Sequence, residues 1–111
     1  GYHGAAVLAA RGAMAAGAGL VTVVTDPATY LPVAGHLVAP MVHAFREGWE
    51  IPVRTTAVVM GPGLAGVGEG SPLKRQCLDW WTTLDVPVVA DASALAWLKG
   101  RSGPRGSSRI V

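Results

Sequence analysis

The stretch Ala57-Val58-Val59-Met60-Gly61-Pro62-Gly63-Leu64-Ala65-Gly66 restricts this chain more than any other, because an apolar run stops abruptly in a glycine-rich turn. A short apolar run bounded by turn residues reads as a buried strand. In an open parallel sheet, ligands sit in the crevice beyond the carboxyl ends of such strands. The turn is therefore a candidate site. Gly61 and Gly63 can take positive φ and let a phosphate or sugar approach backbone N–H groups, while Pro62 fixes its own φ and stiffens the turn. The other reading is a tight strand-to-loop connection with no ligand, and the pattern alone leaves both open.

The flanking sequence predicts the company this strand keeps. Gly4 to Ala16 is small and apolar with the helix propensity of alanine, and Gly17-Ala18-Gly19 ends it. Leu20 to Thr25 is β-branched and reads as a strand, after which Asp26-Pro27 has N-cap and N1 chemistry for a short helix over Ala28 to Leu31. Leu37 to Trp49 is broken by Pro40, and Met41, Val42 and Phe45 fit either a strand or a helical turn. The central strand is expected over Val53 to Met60. Ser71-Pro72 opens a helix whose Leu73, Cys77, Trp80, Trp81 and Leu84 share one face, with Lys74, Arg75 and Asp79 on the other. Trp80 and Trp81 read as packing residues. Val86 to Ala90 is a further strand, Ala92 to Lys99 a short helix closed by Gly100, and Arg109-Ile110-Val111 the start of another strand.

Strands alternating with helices imply βαβ units: an α/β fold, a three-layer sandwich around a mostly parallel sheet. The strand ends at Asp26, Gly61 and Asp91 should then point to one edge. Asp91 can cap the following helix, hydrogen-bond a ligand hydroxyl, or do both; Asp26 reads as a cap.

Composition narrows the function classes. With 111 residues, 50% hydrophobic and 14% charged, the chain can bury one core and is a single domain at most. The formal net charge of +2 comes from scattered residues, and the one loose group, Arg101, Arg105 and Arg109, lies in a Gly/Ser loop, so no nucleic-acid partner is expected. Cys77 stands alone, which excludes a disulfide framework and fits a reducing cytoplasm. No run reaches the roughly 18 apolar residues of a membrane span, so no membrane partner is expected. His3, His36 and His43 lack metal-ligand spacing, and no metal site is expected; His3 reads as an exposed loop residue within reach of a ligand. Gly61-Pro62-Gly63-Leu64-Ala65-Gly66 satisfies the dinucleotide fingerprint G-x-G-x-x-G. That fingerprint, however, needs a helix opening within the glycines, and here Val67 to Gly70 intervene before the Ser71 cap. No serine–histidine–acid arrangement and no glycosidase-like carboxylate pair is present.

Four segments in order, Gly1-Tyr2-His3-Gly4-Ala5-Ala6-Val7-Leu8-Ala9-Ala10, Gly17-Ala18-Gly19-Leu20-Val21-Thr22-Val23, Gly61-Pro62-Gly63-Leu64 and Asp91-Ala92-Ser93-Ala94-Leu95, resemble the ADP/ATP-dependent NAD(P)H-hydrate dehydratase family. The resemblance implies part of a ribokinase-like domain and a repair reaction. The C6 hydroxyl of hydrated NADH or NADPH is phosphorylated by ADP or ATP, with Mg2+, and loss of phosphate restores the cofactor. It implies that Gly4, Ala5, Gly61, Gly63 and Asp91 lie on the substrate side, that the partners are a nucleotide and the hydrated dinucleotide, and that the full-length protein is a homo-oligomer.

The departures are Ser93 for the family's second aspartate, Ala65 for its last glycine, and Met41 where a glutamate usually follows the proline. The family's Thr-Pro-His-Pro-Gly-Glu segment, expected after Val111, and its later glycine-rich loop with the catalytic aspartate are not among these residues. Nor is a strand preceding Gly1. The expectation is an amino-terminal fragment holding part of the cofactor-side pocket, with no catalytic residue of its own and no activity in isolation. The alternatives are a ribokinase-like small-alcohol kinase of the thiazole or pyridoxal type, and a non-catalytic binding or scaffold module.

Overall fold

The structure is a computed structural model that describes residues 2–103 and 108–111. Gly1 and Arg105, which belong to the first motif and to the basic loop, lie outside the described residues.

Helix α1 runs His3–Ala15, and its end is tied down by Ala16 and Gly17 amides donating to the Gly12 and Met14 carbonyls, with Gly17 at φ +96°. Strand β1 (Thr22–Thr25) follows. Asp26 then caps a 3₁₀ turn at Pro27–Thr29, its carboxylate accepting from the Ala28 amide at 2.9 Å, as its sequence chemistry predicts. The chain continues as α2 (Tyr30–Ala34), past the expected end at Leu31. Pro32 does not stop it, because it sits in the first turn of α2, where a missing N–H removes little helical bonding.

The illegible segment after Pro40 resolves as strand β2 (Met41–Ala44), which pairs in parallel with β1, Thr22 opposite Met41 through Thr25 opposite Ala44. The central strand β3 is shorter than the expected Val53 to Met60 and spans only Val58–Met60. The preceding residues turn instead, the Thr55 amide donating to the Pro52 carbonyl at 2.9 Å, and Val53 is left fully in solvent.

Helix α3 (Pro72–Thr83) begins where Ser71 Oγ accepts from the Leu73 amide. It crosses to β4 (Val88–Ala90), which lies between β3 and β5 (Arg109–Ile110) with parallel pairing on both sides. Helix α4 (Ser93–Trp97) links β4 to β5, and Gly100 follows it at φ +76°. All described strand pairs are parallel, so this is the α/β arrangement expected for part of a ribokinase-like domain. The strands form two sheets, β1-β2 and β3-β4-β5, rather than one continuous sheet.

The core falls into two clusters, and the larger one also takes in Phe45, just after β2, with Val24 of β1 packed against it. Val7, Ala10, Val33 and Leu37 pack α1 and α2 against β1-β2. The larger cluster sets Leu73, Cys77 and Trp81 of α3, and Ala94 and Leu98 around α4, over Met60, Val88 and Ala90. Because side chains alternate along a strand, Val59, Val89 and Ile110 fall in register on the opposite face, where Val59 and Ile110 are exposed. Trp81 is buried and Trp80 packs edge-on against Trp49 at 6.0 Å, so the paired tryptophans serve packing as read. Lys74 departs from its assigned polar face and is buried. It lies three residues before Cys77 and seven before Trp81, which places its methylene stem on the same stripe.

Candidate functional site

Three backbone segments meet at the carboxyl ends of β3 and β4. The first is the turn after β3. The Leu64 amide donates to the Gly61 carbonyl at 3.1 Å, and Gly63 has φ +83°. Proline at the second position and a positive-φ glycine at the third are the signature of a type II turn, so Pro62 and Gly63 are the residues this geometry asks for. Leu64 then drops into the main core.

The second segment is the end of β4. The Asp91 amide donates to the Met60 carbonyl at 3.1 Å, which carries the β3–β4 pairing one residue into the turn. Gly61, at φ +115°, is buried against this backbone: a Cβ placed on it would run into the Asp91 carbonyl and reach 2.9 Å from the Ala94 methyl. The third segment is the start of α1. A Cβ on Gly63 would stand 3.0 Å from the Ala6 methyl and 3.3 Å from the Tyr2 carbonyl oxygen. The two glycines therefore join three chain segments through close main-chain approach. Their lack of side chains is accounted for by packing before any ligand is considered.

Of the residues proposed from sequence, Gly61, Gly63 and Asp91 are brought together in this way, and Gly4 and Ala5 lie in the first turn of α1 beside Tyr2 and Ala6. Gly4 is exposed, with open space where a side chain would stand, and the Ala5 amide donates to the Tyr2 carbonyl at 3.0 Å. Asp91 is exposed at the rim, and its Oδ1 accepts from the next amide, Ala92, at 2.6 Å. This is a turn contact and not a cap on the second or third helical amide. Asp26 acts only as the cap described above. His3 is not a loop residue: it is the first residue of α1, half-buried, with its ring 6.0 Å from that of His36. Among the described residues no group of three His, Cys, Asp or Glu is placed to hold a metal ion.

Sequence reasoning missed Ala92. It has φ 49° and ψ −122°, the only positive φ at a non-glycine among the described residues. The Ala94 amide donates to the Asp91 carbonyl at 3.1 Å, so Ala92 is the second residue of a tight turn in a conformation that glycine normally occupies. Nothing in the residue type signals this. Only the meeting of β4, α4 and Gly61 forces it.

The rim thus consists of exposed main chain at the first turn of α1, a rigid Gly-Pro-Gly turn and one carboxylate, at the edge where parallel sheets receive ligands. A family model described as NAD(P)H-hydrate dehydratase, of carbohydrate-kinase type, matches residues 1–110. The chain belongs to this family. No curated protein and no solved structure matches it. The family's name points to NAD(P)H-hydrate dehydratase activity. The early helix opening that a dinucleotide fingerprint requires is absent, since α3 starts at Pro72, well beyond Gly66.

Proposed function

We propose that these residues form part of the substrate side of a nucleotide-dependent NAD(P)H-hydrate dehydratase, with the hydrated nicotinamide ring lying against the rim of Gly4, Ala5, Gly61, Gly63 and Asp91. The observation that carries the reading is the convergence of the α1 start, the Gly61–Leu64 turn and the Asp91 turn at one sheet edge, in a chain of this family.

The chemistry asks for positioning more than for covalent participation. The C6 hydroxyl of the hydrate loses its proton and attacks the terminal phosphorus of ADP or ATP, and the P–O bond to the nucleotide breaks. The attack forms a new O–P bond; the original C6–O bond then breaks with inorganic phosphate as leaving group, and loss of a proton from the adjacent ring carbon restores the ring double bond. In phosphoryl transfer, most of the catalysis comes from holding the acceptor in line and offsetting charge. In this reading the glycine turn presents main chain to the puckered hydrated ring, and Asp91 orients a hydroxyl as an acceptor. No step is assigned to Mg2+ through these residues.

The test is the return of NADH absorbance from hydrated NADH with the full-length protein, run with ADP and with ATP as donors, for wild type and Asp91→Asn. The asparagine keeps an acceptor for the Ala92 amide and removes the charge. Losing a charge-assisted hydrogen bond should lower kcat/KM roughly tenfold. An unchanged kcat/KM would remove Asp91 from the site. Release of ADP from ATP, or AMP from ADP, on a small alcohol, with no return of NADH from either donor, would overturn the dehydratase reading.

A further inference from the structure

A second polar concavity lies away from the rim, between the first turns of α3 and the end of α4. It is an open cleft of about 450 Å³, bordered by Glu69, Lys74, Arg75, Trp97 and Arg101. The three cations outnumber the one carboxylate. Lys74 is the unusual member: its side chain is 10% exposed, yet it belongs to a residue type that is rarely buried without a partner. Its ammonium sits 5.5 Å from the centroid of the Trp97 ring and 2.6 Å from Glu69 Oε1.

The two halves of this ion pair are held very differently. The Lys74 side chain is buried on the Cys77 and Trp81 side of α3 and its ammonium lies beside the Trp97 ring, so its charge is only partly hydrated. Glu69 is 92% exposed and stands between Gly68 and Gly70 before the helix begins. An exposed carboxylate gains little from such a pair and stays hydrated when it leaves, whereas the buried ammonium needs a counter-ion at all times. Arg75 and Arg101 are exposed at the mouth. Arg75 reaches the Gly70 carbonyl at 2.7 Å and Glu47 at 3.4 Å, and Arg101 has no side-chain hydrogen bond or ion pair among the described residues.

From this arrangement we propose that the α3–α4 cleft binds a small phosphate-bearing anion. Lys74 is the fixed central cation, Arg75 and Arg101 are the flanking donors, and Glu69 is a counter-ion that the ligand displaces. The fixed ammonium and the planar guanidinium groups match the tetrahedral oxygens of a phosphate, and the Trp97 ring lines the wall beside it. This site is separate from the Asp91 rim and does not rest on the dehydratase reading.

The test is calorimetric titration of the purified protein with inorganic phosphate at low ionic strength, with sodium chloride of matched ionic strength as control. Wild type, Glu69→Gln, Lys74→Met and Arg101→Ala are compared after circular dichroism has established folding. Glu69→Gln removes the competing charge and should tighten phosphate binding roughly two- to fivefold. Arg101→Ala should weaken it by a similar factor, and Lys74→Met should weaken it roughly tenfold or more. Absence of phosphate heat in both wild type and Glu69→Gln, an equal response to chloride, or a Glu69→Gln affinity unchanged or weaker would each overturn the proposal. If Lys74→Met does not fold, the opposite directions expected for Glu69→Gln and Arg101→Ala still decide it.

Discussion

At the scale of single residues, the turn after β4 shows how the rim is held. Ala92 adopts a backbone conformation that costs an L-residue about 1–3 kcal/mol. The surroundings impose it: the Asp91 amide is fixed to Met60, the Asp91 carbonyl to the Ala94 amide, and the Ala94 side chain is fully buried. Gly61 sits directly beneath, where no side chain fits. The two positions should therefore respond oppositely in urea unfolding. Ala92→Gly should gain about 1 kcal/mol, the relief of strain exceeding the added entropy of the unfolded glycine. Gly61→Ala should lose about 2–4 kcal/mol, since its new methyl group meets main chain that cannot move without breaking the β3–β4 pairing. A destabilised Ala92→Gly would show that the turn is not strained. Gly61 and Gly63 were legible as turn glycines because positive φ is nearly their preserve. Ala92 was not legible, because alanine carries no trace of the conformation imposed on it.

At the scale of elements, α3 joins a capped start to a buried stripe. Ser71 and Pro72 supply the start, and Leu73, Cys77 and Trp81 fill the main core. Burial removes water from Cys77 and pushes its thiol from the usual 9.0 up to about 12. In the folded protein the thiol therefore keeps its proton above pH 9.0, where the unfolded chain would lose it. The stabilising contribution is fully present below pH 9.0 and is lost as pH rises toward about 12. Thermal unfolding should show a steeper alkaline fall for wild type than for Cys77→Ala, even though the alanine variant is less stable at neutral pH because of the cavity it leaves. Equal alkaline slopes would contradict this, as would fast reaction of the native thiol with a disulfide reagent. The periodicity of α3 reveals its core face but not Lys74, because a charged head reads as a solvated position and the pattern does not register the apolar surface of its stem.

At the scale of the whole molecule, Arg109 ties the last strand to the body of the larger sheet. Its guanidinium donates to the carbonyls of Trp81 at 2.9 Å, Leu84 at 2.6 Å and Val86 at 3.1 Å, and lies 5.4 Å from the Trp81 ring. These carbonyls are at the end of α3 and in the segment leading to β4, 23 to 28 residues away in the chain. Gly103 packs closely under the same side chain. Arg109→Lys keeps the charge but loses the planar fork, and because one ammonium cannot replace all three separate contacts it should cost about 2–4 kcal/mol. Hydrogen exchange is the informative readout. The Val88 amide, which donates to the Ser108 carbonyl at 3.0 Å, should exchange faster in the variant, while amides of β1 and β2 in the other sheet should not change. Unaltered protection at Val88 would mean that the guanidinium does not hold β5 in place. From the sequence Arg109 looked like one member of a loose basic group, since nothing local distinguishes a solvated arginine from one that gathers distant carbonyls.

The sequence by itself determined what depends on neighbours along the chain: the strand-then-helix alternation, the Asp26 and Ser71 caps, the proline and glycine chemistry of the Gly61–Leu64 turn, and the motif order that marks the family. Tertiary structure alone decided what depends on residues meeting from far apart, because burial, strain and ion pairing are properties of contacts that no local pattern encodes. In this protein those are the division into two sheets, the glycine-mediated meeting of α1, β3 and β4, the twist at Ala92, and the burial of the Lys74 side chain beside Trp97.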